Sequence, residues 1–222
     1  MSLRDLLPQN IESIIFDFDG VLVDSMPYHA EAWIRAFAEV DVNITADQIY
    51  GIEGSNHIGI VNRIFEINGK KPSETLINSI ADRKRELFFE LGRSKAFDGM
   101  QECLKSLHSK YNLALVSGSN RQIVDELVSK FYQGIFDAIV SGSDILSGKP
   151  APDPYLKAME MLDISPDKCV VVENAPLGVE AAKNAGLFCI AVPTYVDSNK
   201  LKNADIIVAD HRELLQYLYS LL

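Results

Sequence analysis

Several absences narrow this sequence before any motif is read. Cysteine is scarce: Cys103, Cys169 and Cys189 stand far apart in apolar surroundings. They form neither a disulfide framework nor a zinc-ligand spacing, which points to a reducing, cytoplasmic setting. Basic charge is outweighed, with 21 Lys and Arg against 31 Asp and Glu and a formal net charge of −10. Nucleic acid and anionic membranes are therefore not expected as partners, because neither meets a broad basic face. An anionic substrate remains open, but it needs local cations or a metal. Long hydrophobic runs are missing too. No apolar stretch approaches a membrane span, and the first residues carry no signal-peptide pattern. No internal repeat or low-complexity tract interrupts the chain.

What is present is a chain of 222 residues, 47% hydrophobic and 23% charged. That suffices for one domain, or one domain with an insertion, around a substantial core. A monomer is expected. The organising stretch runs from Ser13 to Ser25. Ile14, Ile15 and Phe16 lead directly into Asp17; Asp19 follows, and Gly20 permits a sharp turn. Ligands of open α/β sheets bind beyond the carboxyl ends of strands. The same residues also describe a plain strand followed by a solvated Asp-Gly turn.

Beyond it, Asp24 or Ser25 caps a helix with Pro27 in its first turn. Trp33, Ala36, Phe37 and Val40 recur at helical spacing, and His29 shares their face one turn nearer the acids. A short helix spans 45–50, a loop spans 51–55, and Ile58, Val61, Ile64 and Phe65 mark the next helix. Ile77, Ile80, Leu87, Phe88 and Leu91 form a last apolar stripe, interrupted by Lys84. From about Asp98 short apolar strands alternate with helices: 113–116, 138–140, 169–172, 188–192 and 206–208. This texture predicts an α/β fold, with a Rossmann-like, mostly parallel sheet covered on both faces. The expected division is a core of residues 1–24 and 96–222, with an inserted all-helical cap over 25–95.

Four strand ends carry polar groups toward one sheet edge. They supply Asp17 and Asp19, then Ser117 with Gly118, then Lys149, then Glu173 with Asn174. Oxygen ligands suit Mg²⁺, a carboxylate can attack phosphorus, and a lysine can neutralise the crowded oxygens. Each feature alone has an ordinary explanation as a turn, a loop lysine or a helix cap. Their coincidence at one edge does not.

These residues carry a resemblance. Asp17-Phe18-Asp19-Gly20-Val21-Leu22-Val23-Asp24-Ser25, Ser117-Gly118-Ser119, Gly148-Lys149-Pro150 and Glu173-Asn174 resemble the four ordered motifs of the haloacid dehalogenase-like superfamily. Pro27-Tyr28-His29 with Trp33, and the run from Lys149 to Tyr155, are similar to its β-phosphoglucomutase-like branch. The resemblance implies that Asp17 is a nucleophile and Asp19 the general acid and base. It implies Mg²⁺ on Asp17, the Asp19 carbonyl, Glu173 and Asn174. Ser117, Gly118 and Lys149 would hold the phosphoryl group, with Ser119, Asn120 and Arg121 near the rest of a substrate.

Two departures from the mutases stand out. Asn174 replaces their usual acid, and Gly54 aligns with an arginine that holds a non-transferring phosphate, with Glu53 beside it. Glu53 is either a solvated loop charge or a group that cap closure brings to the metal. The second combination resembles the family's inorganic-pyrophosphatase-like members, as does the Asn174-to-Gly178 run. His29 is either a packed histidine or a substrate contact; Lys84 is either a snorkelling lysine or a cap contact to substrate. The expected activity is a Mg²⁺-dependent phosphatase of small phosphorylated metabolites, pyrophosphate first and sugar phosphates second. A β-phosphoglucomutase and an inactive binding module are the rivals.

Overall fold

The protein is described by a computed structural model covering residues 7–222. Residues 1–6 of the expected core segment, where a signal pattern would begin, lie outside the described residues. β1 (Ser13–Asp17) is buried along its whole length. It pairs in parallel with β4 (Asn112–Val116) on one side and β6 (Cys169–Glu173) on the other. β5 (Ala138–Val140), β7 (Phe188–Ala191) and β8 (Ile206–Ile207) complete a six-stranded sheet in the order β5-β4-β1-β6-β7-β8. The chain builds outward from β1 on one side and returns to build on the other. Such a reversal opens a crevice at the strand ends where ligands bind. It brings the ends of β1, β4 and β6 side by side.

The strands are uniformly apolar because both faces are covered. Alternation along β1 sends Ile14 and Phe16 into one core cluster and Ile15 into the other. Between β2 (Val23–Asp24) and β3 (Lys95–Ala96) the chain forms helices and no strand. These are α1 (Met26–Ala38), α2 (Ala46–Tyr50), α3 (His57–Ile67) and α4 (Glu74–Leu91), with α1 packed on α4. The apolar residues of this insert join the same cluster as Ile14 and Phe16. Both crossings between insert and sheet run together, since β2 and β3 pair antiparallel, Val23 opposite Ala96 and Asp24 opposite Lys95. This two-residue ribbon is too short to register in sequence periodicity. Among the described residues no helix is long and apolar enough to cross a membrane, and all three cysteines are free and buried.

The expected elements recur with small shifts. One expected core residue does not: Ile58 is exposed. Asn56 caps α3 by accepting from the Gly59 N–H, and the buried face becomes Ile60, Val61, Ile64 and Phe65. Ile58, two residues before Ile60, then points elsewhere. The remaining helices are α5 (Met100–His108), α6 (Arg121–Phe131), α7 (Asp153–Leu162), α8 (Pro176–Asn184) and α9 (His211–Tyr219).

Candidate active site

Asp17 ends β1 with its side chain buried. One carboxylate oxygen, Oδ1, accepts from Lys149 Nζ at 2.5 Å. The other makes no hydrogen bond to a described residue, and Asp17 lines a cavity of about 330 Å³. Lys149 also donates to Glu173 Oε1 at 2.6 Å. Burial would lower the Lys149 ammonium, but Asp17 and Glu173 hold it above its ordinary range. Burial pushes the Asp17 carboxyl upward against the pull of Lys149, with Glu173 and Asp19 adding to the rise.

Glu173 is fully committed to the protein. Besides Lys149, its Oε1 accepts from the Tyr155 hydroxyl at 2.8 Å. Its Oε2 accepts the backbone N–H groups of Asn174 and Ala175 at 2.8 and 3.0 Å. Glu173, expected as a metal ligand, is here the counter-ion of Lys149. A glycine at position 178 makes room, because a Cβ there would run into the Glu173 carboxylate.

Asp19 has the opposite environment. Its Oδ1 accepts from Ser25 Oγ at 2.6 Å and His29 Nε2 at 2.9 Å. Its Oδ2 accepts from Ser117 Oγ at 3.0 Å and Ser119 Oγ at 2.8 Å. Burial alone would raise this carboxyl, but His29 and the hydroxyls hold it well below the usual carboxylate range. Ser25 precedes α1 and makes no side-chain cap bond; its hydroxyl goes to Asp19.

His29 continues the chain of contacts. Its Nδ1 lies 2.6 Å from Lys84 Nζ, and an ammonium offers only protons, so Nδ1 accepts and Nε2–H donates to Asp19. Burial and Lys84 together lower the His29 pKa against the opposing pull of Asp19. Phe88 stacks on the imidazole at 4.2 Å. Lys84 sits over the rings of Trp33 and Phe88. Burial brings its ammonium down to about 8.

The loop after α2 closes over the floor. Glu53 is buried, and its Oε1 accepts from Asn174 Nδ2 at 2.8 Å. Its carboxyl is raised by burial, with Asn174 opposing and Asp17, Glu173 and Asp19 adding to the rise. The solvated-loop alternative is thereby excluded. Glu53 Oε2 and Asn174 Oδ1 are buried acceptors with no donor among the described residues. Gly20, at φ +92°, has no room for a side chain against Asn174 and Glu53. A Cβ on Gly118 would sit 2.6 Å from the carbonyl oxygens of Gly54 and Ser55. The insert therefore rests on the loop after β4 by bare backbone.

The fit of a cation follows from this donor set. Four buried carboxyl groups, Asp17, Asp19, Glu53 and Glu173, face two buried ammonium groups, Lys84 and Lys149. Two orphaned oxygens add to the imbalance, and hard oxygen donors suit Mg²⁺. Among the described residues no three His, Cys, Asp or Glu side chains alone are placed to hold a metal; here one donor is an amide oxygen.

Of the other expected site residues, Gly118, Ser119 and Asn120 line the cavity with His29, Glu53 and Lys84. Ser117 reaches it only through Asp19 and the Ser119 N–H. Arg121 does not line it, correcting the expected substrate contact: its guanidinium is held by Asp144 and the Ile139 carbonyl. Asn120 caps α6, and the next side chain points back toward β5. The sequence reading passed over Ser25 as more than a helix cap, over Tyr155, and over the cavity-lining His57, Asn78, Asp82 and Arg85. The last three lie at i, i+4 and i+7, so a second helical face was there to be counted.

The haloacid dehalogenase-like hydrolase family matches residues 14–192. A Thermotoga maritima phosphorylated carbohydrates phosphatase is 34% identical over 80% of this chain and 82% of its own. An Escherichia coli fructose-1-phosphate phosphatase is 28% identical over 81% and 95%. A Bacteroides vulgatus structure, provisionally named a beta-phosphoglucomutase, superimposes with a TM-score of 0.88 at 32% identity, covering 95% of this chain and 90% of that one.

Proposed function

The chain belongs to the haloacid dehalogenase-like hydrolases, and within that family we propose that it is a Mg²⁺-dependent phosphatase of small phosphorylated metabolites, acting through an aspartyl-phosphate on Asp17. One observation carries this reading: Asp17 offers an unbonded oxygen to the cavity while Asp19, two residues on, has both oxygens bonded. The first is placed to attack; the second is placed to manage protons.

In the first step Asp17 forms a bond to phosphorus as the bond to the leaving oxygen breaks. Asp19, protonated at that stage, gives its proton to the leaving oxygen. A phosphate dianion beside Asp19 raises its proton affinity, since like charges disfavour the ionised form. In the second step Asp19, ionised as in the present network, takes a proton from water. That water attacks phosphorus, frees Asp17 and releases phosphate, and Asp19 regains its proton. Lys149 offsets charge on Asp17 and the transferring oxygens. Mg²⁺, held by Asp17, the Asp19 carbonyl, Asn174 and Glu53, would supply further neutralisation of that charge. The insert excludes bulk water.

Gly54 opposes the mutase alternative. At φ +90°, with Lys149 Cδ 3.2 Å from where its Cβ would lie, this position carries no side chain for a second phosphate and would hold an arginine only under strain. The relatives favour sugar phosphates as substrates. A second reading, pyrophosphate, is supported by Glu53 meeting Asn174, the pair that resembled pyrophosphatase-like members. The test is phosphate release over pyrophosphate and hexose, pentose and triose phosphates, with and without Mg²⁺, alongside glucose 1-phosphate conversion. Asp17→Asn abolishes release if Asp17 is the nucleophile; undiminished turnover overturns it.

A further inference from the structure

The insert joins the sheet covalently only through the two crossings that pair as β2 and β3. A ribbon of two residue pairs leaves its angle to be set by other contacts, as at any short hinge. The main-chain contact at Gly118 limits how near the insert comes, but does not hold it there. A side chain outside the cavity does. The loop after β7 is pinned to the site's floor: the Val192 N–H donates to the Glu173 carbonyl at 2.9 Å, and Thr194 Oγ1 donates to the Gly20 carbonyl at 2.7 Å. From this loop the Tyr195 hydroxyl donates to Asp24 Oδ1, on the strand that leads into the insert. The Tyr195 ring stacks on Tyr50 of the insert, with centroids 5.5 Å apart and planes 13° apart.

Tyr50 is the last residue of α2 and stands three residues before Glu53. Burial raises both phenols, Glu53 and Asp24 adding to the rise of each, so the Tyr195 hydroxyl stays a donor to Asp24. Both rings are half-buried, and neither lines the cavity. Stacked aromatic pairs contribute beyond the area they bury. One core side chain thus grips the crossing strand through its hydroxyl and the insert through its ring.

We propose that Tyr195 is a positioning residue, which through its stack on Tyr50 holds the insert over the sheet with Glu53 at Asn174. Its consequence for turnover rests on the proposed phosphatase reading; its effect on the insert does not. Because Tyr195 acts on the placement of the insert and touches no part of the cavity, it favours every substrate alike.

Trp33 supplies a probe that needs neither substrate nor metal. It is the sole tryptophan of the chain, is 3% exposed and lines the cavity, so acrylamide quenching of its fluorescence reads how far the insert stands open. In Tyr195→Ala and in Tyr50→Ala the quenching constant should rise roughly twofold or more, since loss of the stack weakens closure by about tenfold. Tyr195→Phe keeps the stack and should stay near wild type, and the double alanine variant should match the single ones. With glucose 6-phosphate and fructose 1-phosphate, KM should rise by about the same tenfold on whichever is turned over, because apparent affinity scales with the closed fraction. kcat should hold within about twofold, since saturating substrate restores closure. Unchanged quenching in both alanine variants overturns the role of Tyr195, whatever the activity. So does a fall in kcat with KM unmoved, which marks only a loss of folded protein. A wild type that releases phosphate from no ester sinks the phosphatase reading, and quenching alone then decides the role of Tyr195.

Discussion

Lys84 Nζ and His29 Nδ1 lie 2.6 Å apart, and the contact makes the imidazole a one-directional link between a buried ammonium and Asp19. Both residues come from the insert, on α4 and α1; Asp19 comes from the end of β1. Lys84 also touches the cavity, so its charge is felt at two places.

The pH dependence follows from Lys84. With its pKa brought down to about 8 by burial, its positive charge fades above that pH while an unfolded chain keeps it to about 10.4. The unfolded state then binds more protons, so the Lys84 contribution to stability rises between those values. Substrate binding runs the other way: KM for a phosphate ester should climb above pH 8. Lys84→Arg should move that limb upward, and Lys84→Met should remove it. A limb unchanged in both variants would assign it to another group.

Replacing His29 by Phe retains a ring against Phe88 but deletes the Nε2–H to Asp19. kcat should fall about 100-fold, the usual scale for an aligned acid–base partner, with KM nearly unchanged. Steady-state kinetics with a hexose phosphate checks this; an unaltered kcat would leave His29 as packing.

Glu53→Gln preserves shape and the bond to Asn174 while removing charge. Half-activation by Mg²⁺ should require roughly tenfold more metal or greater, in line with losses around metal sites. Titrating activity and intrinsic fluorescence against Mg²⁺ decides it. An unchanged midpoint would make Glu53 a closing contact only.

Gly178 gives a prediction whose sign is unusual. Within α8 a Gly→Ala change ordinarily favours the helix by about 1 kcal/mol. Here the new Cβ runs into the Glu173 carboxylate, which holds Lys149. Gly178→Ala should therefore destabilise by about 2 kcal/mol or more and lower kcat together, measured by thermal melting and turnover. A rise in Tm would contradict the packing described.

Much of this was legible in the chain. The apolar run into Asp17 gave the central strand, because a strand buried on both faces needs no alternation. Asp17, Asp19, Ser117 and Lys149 sit at strand ends that a parallel sheet gathers. Other roles depend on distance between segments, which sequence does not encode. The resemblance implied a metal role for Glu173, but that its oxygens also meet Lys149, Tyr155 and two neighbouring N–H groups is seen only in the fold. Arg121 follows the right loop, but helix geometry turns it toward Asp144. Glu53 left two readings open until Asn174 was seen beside it. Asn78, Asp82 and Arg85 share a side by their spacing, but spacing does not show what that side meets.

The contact of the Gly54 and Ser55 carbonyls with Gly118 has a consequence for how such a protein can diversify. The separation between insert and sheet is set there by main-chain atoms, whose size no mutation alters. Substitutions along α4, which lines the cavity, can reshape its wall without resetting the spacing over Asp17. Selectivity can drift from one phosphate ester to another while the reacting geometry is inherited intact.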